Sequence, residues 1–184
     1  IIMLSLNYSP SDVGLYGMAL KLASVPLLMI GSAVSNLLNA RMVANTKDSF
    51  SYFKRYFLLL LLVGVLLYAA VSRFYFIVPY LLGDEWQNIE GIIKNLALWL
   101  SLKIISSPLS IAVIFLDKQK LFLYTNLFIN TLILIIIYTS ITSGDDFLSC
   151  ITLLHQLQCI YFIMFIGLLF HYFLKFDKGV ERSI

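Results

Sequence analysis

The sequence predicts an all-α integral membrane protein, with five complete transmembrane helices preceded by the tail of a sixth. Three observations carry that expectation. Hydrophobic residues fill 60% and charged residues only 12% of the 184 positions, at a mean hydropathy of +0.91, far from a soluble domain. The apolar residues come in runs long enough to cross a bilayer core, which takes roughly 20 helical residues. The polar breaks between runs are short, and breaks rich in Lys and Arg alternate with breaks that lack them.

Spans are predicted at residues 13–39, 56–81, 92–116, 121–141 and 147–174. IIMLSLNY, ahead of the first, is apolar but too short to span, and reads as the end of a helix cut at its N-terminus. Residues 1–184 then make one transmembrane helical lobe with no soluble domain. Arg41, Lys47, Lys54 and Arg55 fall between the first two spans, Lys118 and Lys120 between the third and fourth, and Lys175, Lys178 and Arg182 after the fifth. Breaks 7–12, 82–91 and 142–146 hold no Lys or Arg, with Lys94 at the edge of one. The positive-inside tendency puts the basic breaks and the C-terminus in the cytoplasm.

Within the spans the charges are few. Counted inward from Asp12 and Ile92, Lys21 and Lys103 lie roughly 14–16 Å deep, and Arg73 and His155 lie about 12 Å from Leu81 and Phe147. A charge near the bilayer centre costs at least about 2.5–3.5 kcal/mol and almost always faces protein or water. Three cations and an imidazole at one level on four helices point to a polar cavity. Snorkelling to the interface is the alternative, and suits Arg73 best. At helical spacing, Gly17, Lys21, Ser24, Gly31 and Ser35 form one small or polar stripe. Asn95, Trp99, Lys103, Ser106, Ser110 and Asp117 form a second, and Ser149, Thr152, His155, Gln156 and Cys159 a third. Packing interfaces also favour small residues, so the cations decide the reading.

Two octets share one punctuation: LKLASVPL at 20–27 and LKIISSPL at 102–109. Pro26 and Pro108 lack an N–H, so the carbonyls of Leu22 and Ile104 lose their helical donors. Ser24 and Ser106, or water, are the expected replacements; in lipid such a break is tolerated where protein or a water-filled cavity covers it, and a plain packing kink is the alternative.

Other chemistry is missing. All ten acids lie in breaks or at span ends, which leaves no membrane carboxylate for a proton or Na⁺. Asp84/Glu85 and Asp145/Asp146 read as solvated turns and not as acid–base pairs. Cys150 and Cys159, nine apart on one helix, cannot pair, and with His155 and His171 match no metal spacing. No phosphate-cradling glycine loop, nucleophile elbow or nucleic-acid stripe appears. Neither an enzyme, a metal, a cofactor nor a nucleic-acid partner is expected.

VGLYGMALKLASVPLLMIGSAVSN at 13–36 and LLGDEWQNIEGIIKNLALWLSLKIISSPLSIAVIFLDKQKL at 81–121 resemble bacterial polysaccharide-export flippases of the multidrug/oligosaccharidyl-lipid/polysaccharide exporter superfamily. The GLY…AL-cation…P…IGSA run, the GDEW outer turn, the SSPLS kink and the KQKL inner turn carry the resemblance, over about the first two thirds of the chain. The last two helices match only in kind. The resemblance implies two helical lobes around a cavity open alternately to each side. This chain would be most of the C-terminal lobe, partnered by a missing N-terminal lobe of the same protein.

It also implies the substrate: an oligosaccharide on a polyprenyl diphosphate, moved from the cytoplasmic to the outer leaflet of the bacterial inner membrane for O-antigen, lipopolysaccharide or capsule synthesis. Lys21 and Lys103 would shield the diphosphate or an acidic sugar, helped by Ser24 and Ser106, with Arg73 and His155 as further contacts. The prenyl tail would stay in membrane lipid. A flippase for a cell-wall lipid intermediate and a drug exporter of the same superfamily are the alternatives; the latter is expected to carry membrane carboxylates.

The charge alternation can be tested by labelling. In a background lacking Cys150 and Cys159, single cysteines replacing Asn45 and Lys178 should resist an impermeant thiol reagent in intact cells. A cysteine at Asp145 should react. The reverse pattern overturns the orientation.

Overall fold

The computed structural model describes residues 2–74, 77, 80, 83, 86 and 89–181. The end of the second predicted span at Leu81, the Asp84/Glu85 pair and Arg182 lie outside the described residues. Within them every regular element is helical: α1 (Ile2–Ser5), α2 (Pro10–Ala44), a 3-10 turn (Thr46–Asp48), α3 (Ser49–Phe74), α4 (Glu90–Leu109), α5 (Ile111–Phe115), α6 (Gln119–Thr142) and α7 (Phe147–Glu181). Five helices are long and apolar enough to cross a membrane, α4 and α5 together making the third. They occupy the five predicted places. Ahead of them, α1 is a single turn.

Local chemistry explains the ends. Ser9 caps α2: its hydroxyl oxygen accepts from the Asp12 N–H at 3.1 Å and its O–H donates to the Asp12 carboxylate at 2.7 Å, with Pro10 opening the helix. Between α6 and α7 the chain reverses at Gly144, whose φ of 83° suits a residue without Cβ, while the Asp145 N–H bonds back to the Ser140 carbonyl at 3.3 Å. Asp117 makes the equivalent reversal after α5 with φ 54°, a conformation Asp tolerates better than most residues.

The prolines behave differently from one another. Helix α2 runs on through position 26 to Ala44 without interruption. Pro108 does mark a break: α4 ends at Leu109, and the Ser110 N–H is shared between the carbonyls of Ser106 and Ser107 at 3.1 and 3.3 Å before α5 begins. The tightened turn is how a helix accommodates a lost donor one turn earlier.

Helix α4 is the centre of the packing, against α2, α3 and α7. Leu96, Ala97, Leu100, Ser101, Ile104 and Ile105 are all buried, and together they span about half of its circumference. Its closest neighbour is α3, which approaches at Gly64. A Cβ there would stand 2.9 Å from Ile105 Cδ1 and 3.0 Å from the Ser101 carbonyl oxygen.

The two ends of the bundle differ chemically. At one end α3, α5 and α7 meet in phenylalanines: Phe53 stacks on Phe173 at 4.4 Å, Phe57 meets Phe170 edge-on at 4.9 Å, and Phe115 meets Phe176 at 5.4 Å. The basic breaks gather there, with Lys54 over Phe50 and Lys118 over Tyr172. At the other end the Tyr8 hydroxyl donates to the Asp145 carbonyl at 2.9 Å and Ser140 donates to the Asp145 carboxylate at 2.5 Å. Partial burial pushes the Tyr8 phenol up to about 12, so it stays a donor at neutral pH. Hydrogen bonds from Ser149 hold the Asp146 carboxyl below the usual carboxylate range. That pair of acids is a helix-start turn.

The exterior is apolar. Leu58, Leu62 and Leu66 on α3, Leu127, Phe128 and Ile135 on α6, and Ile160, Ile163 and Met164 on α7 are all exposed. A surface this greasy is unsuited to water and suited to lipid tails.

Gly64→Ala should lower stability by about 1–3 kcal/mol through overpacking. Ile105→Val removes the 2.9 Å contact atom, so the double variant should lose less than the two singles added together. Detergent melting of the full-length protein measures this. Strict additivity would show that α3 and α4 do not meet there.

Candidate functional site

Lys103 is the charge the fold treats most specifically. It is half-buried on α4, and its Nζ sits 4.3 Å from the centroid of the Trp99 ring, one turn earlier. That contact is a cation–π pair at (i, i+4) spacing. Trp99 itself is only 7% exposed and leans on His155, ring centroids 5.4 Å apart. His155, 3% exposed, meets the Tyr16 hydroxyl through Nε2 at 3.1 Å. The assembly thus runs from α2 through α7 to α4.

Two buried polar atoms in this assembly have no hydrogen-bond partner among the described residues: Trp99 Nε1 and His155 Nδ1. Most buried polar groups in folded proteins are satisfied, so two unpaired nitrogens beside a cation mark a specialised spot. Trp99 Nε1 is a donor only. It is buried at the edge of the ring whose face carries the Lys103 ammonium.

The α2 residues border this spot differently from expectation. Lys21 is exposed and Ser24 half-buried, while Gly31 is buried with its Cα side 3.7 Å from Ser107 Oγ and 3.9 Å from Pro108 Cγ, measured to an ideal Cβ. The polar stripes of α2 and α4 therefore adjoin at Gly31. From that crossing, Lys21 is ten residues outward on its helix and Lys103 four on its own, relative to Ser107. The two cations are staggered by roughly 9 Å along the helix axes. Counting from span ends had put them level.

Both lysine octets fold alike at the serine. Ser24 donates to the Lys21 carbonyl at 3.2 Å, and Ser106 to the Lys103 carbonyl at 3.5 Å. These are the carbonyls one residue before those the prolines release. The serines were expected on Leu22 and Ile104; their reach to the i−3 position takes them to the lysines instead.

The remaining candidates separate from the pair. Arg73 is exposed in the last turn of α3 and makes no hydrogen bond, ion pair or ring contact among the described residues. His155 lies in the packed interior, not on an open face. The third stripe splits with it: Ser149 and Gln156 are exposed, while His155 and Cys159 are buried. Cys150 and Cys159 are both free. Among the described residues no group of His, Cys, Asp or Glu could hold a metal ion.

Tyr16 escaped the sequence reading altogether. Nothing in a lone tyrosine on an apolar helix announces a histidine 139 positions away. Trp99 was visible as a stripe member, and its spacing to Lys103 was the available signal. Asn126 and Asn130, exposed and paired with each other on α6, were also missed. Beside the site, Ala19, Leu22 and Ala23 share an apolar recess of about 270 Å³ with Val71 and residues of α4 such as Leu96 and Leu100.

Compared with protein-family models, with curated proteins and with solved structures, the chain shows no match.

The buried Tyr16–His155 contact can be tested by a double-mutant cycle. Tyr16→Phe strands His155 Nε2 and should cost about 1–3 kcal/mol. His155→Phe keeps the ring and removes its polar atoms, so adding Tyr16→Phe to it should cost much less. Equal costs of Tyr16→Phe in both backgrounds would show that the two side chains do not interact.

Proposed function

We propose that this chain is the C-terminal lobe of a transporter that flips a polyprenyl-diphosphate-linked oligosaccharide across a bacterial inner membrane, with the basic end in the cytoplasm. The observation that carries the reading is Lys103: a cation inside the central helix, held over Trp99, with no ion-pair partner among the described residues. A structural charge in such a position is normally matched by an opposite one. An unmatched one suits an anion that comes and goes. Resemblance of 13–36 and 81–121 to polysaccharide-export flippases supplies the substrate class.

Each part of that substrate has a counterpart. A diphosphate needs shielding while it crosses the hydrocarbon layer, and Lys103 with Lys21 offers two cations on adjoining helices. Trp99 holds the Lys103 ammonium over its ring face and so sets where that charge is offered. The apolar recess between α2, α3 and α4 offers a surface on which a prenyl chain can lie. His155 and Tyr16 act through Trp99, as its support. Arg73, exposed on α3, suits snorkelling to the interface. A partner lobe of the same protein would close the cavity over the exposed side of Lys21.

Complementation of a flippase-deficient strain with the full-length protein tests this, read as surface glycan at matched protein level. Lys103→Gln and Lys21→Gln should each reduce glycan sharply, and the double variant should do no better than the worse single one. Lys→Arg at either site should be better tolerated, since charge is kept. Normal export by the double Gln variant would end the cation-site reading.

A further inference from the structure

A second basic site lies at the opposite end of the spans from Tyr8 and Asp145. Tyr52, Arg55, Tyr56 and Leu59 occupy positions i, i+3, i+4 and i+7 of α3, one face of the helix, and with Arg41 from the last turn of α2 they line a recess of about 450 Å³. Neither arginine has an ion-pair partner among the described residues. Both are exposed, while the two tyrosines are half-buried and form the walls.

Below the recess the same face changes character. Leu59, Leu62 and Leu66 continue the stripe toward the middle of the span and are 51%, 62% and 61% exposed. A polar cup with an apolar lane running from it matches a molecule with an anionic head and a hydrocarbon tail. A free anion would have no use for the lane. Two guanidinium groups favour an anionic head over a zwitterionic or neutral one, and each can donate two parallel hydrogen bonds to phosphate oxygens. Tyrosine is at home at this depth, ring in the acyl region and hydroxyl in the headgroups. Basic pockets between membrane helices on the cytoplasmic side hold anionic lipid heads by the same physics.

We infer that Arg41, Arg55, Tyr52 and Tyr56 form a binding site for a lipid-borne phosphate, with the lipid chain along Leu59, Leu62 and Leu66. The inference is independent of transport at Lys103. A second recess at the same end, lined by Lys118, Lys175 and Tyr172, has about 410 Å³ but only ammonium cations, and provides the internal comparison.

Native mass spectrometry of the full-length protein in detergent tests it, with phosphatidylglycerol, phosphatidylcholine, a polyprenyl diphosphate and inorganic phosphate as probes. Phosphatidylglycerol should be retained well above phosphatidylcholine. Arg41→Gln/Arg55→Gln should weaken that binding at least about tenfold, which is one order in the equilibrium constant or roughly 1.4 kcal/mol. Arg41→Lys/Arg55→Lys should fall between, and Lys118→Gln/Lys175→Gln should leave this binding event unchanged. A polyprenyl diphosphate that binds more tightly with the same arginine dependence would also support the site and name the carried lipid as its source. Unchanged phosphatidylglycerol binding in the arginine-to-glutamine pair, at wild-type melting temperature, overturns it. So does equal retention of phosphatidylcholine, or full displacement by inorganic phosphate at equal concentration.

Discussion

Helix α4 is enclosed by α2, α3 and α7, yet it carries a lysine at mid-span, and much of the remaining architecture answers to that pairing. Enclosure requires close approach, which Gly64 permits by leaving room for Ile105 and the Ser101 carbonyl. The lysine requires a local partner. A cation–π pair is worth from about 0.5–1 kcal/mol at an exposed site to about 2 kcal/mol when desolvated, against an insertion cost of about 2.5–3.5 kcal/mol for a mid-membrane cation. For the half-buried Lys103, Trp99 therefore offsets part of that cost, and the exposed half of the side chain lowers the cost itself. The same indole is fixed from behind by His155, and His155 by Tyr16, so three helices hold one ring.

The two LK..S.PL octets show how a repeated sequence can keep its local geometry and lose its larger one. Each serine returns its hydroxyl to the carbonyl of its lysine. That bond depends only on residues three apart on one helix. The proline effect depends on the surroundings: α2 passes through position 26 unbroken, whereas the α4–α5 break follows Pro108 where Gly31 of α2 packs against it. The stagger of the lysines arises in the same way. Each sits at its own distance from the Gly31–Ser107 crossing, and the crossing is a tertiary fact.

This division describes what the sequence revealed. The five spans, their order and the separation of basic from acidic ends were legible, because they rest on hydropathy over 20 residues and on charges in short breaks. Lys103 was legible as an anomaly within an apolar run. The fate of His155 was not: a histidine among Ser, Thr and Gln on α7 looked lumen-facing, while its actual neighbours, Tyr16 and Trp99, come from helices far away in sequence. Span-end counting missed the stagger because it places each lysine from its own helix start, whereas the contact of Gly31 with Ser107 that aligns the two helices is tertiary.

The stagger also bears on how an anion could move, under the transport reading. Two cations at one depth would make a single deep well, and a diphosphate bound there would leave slowly. Cations separated by roughly 9 Å along adjoining helices make two shallower wells instead, one half-buried and ringed by Trp99, the other exposed on α2. Transport needs binding strong enough to draw the charge out of water and weak enough to release it. A charge passed between two sites meets that requirement with less affinity at either. The asymmetry in burial between Lys21 and Lys103 is then part of the device, because equal sites would give the anion no preference for where to wait.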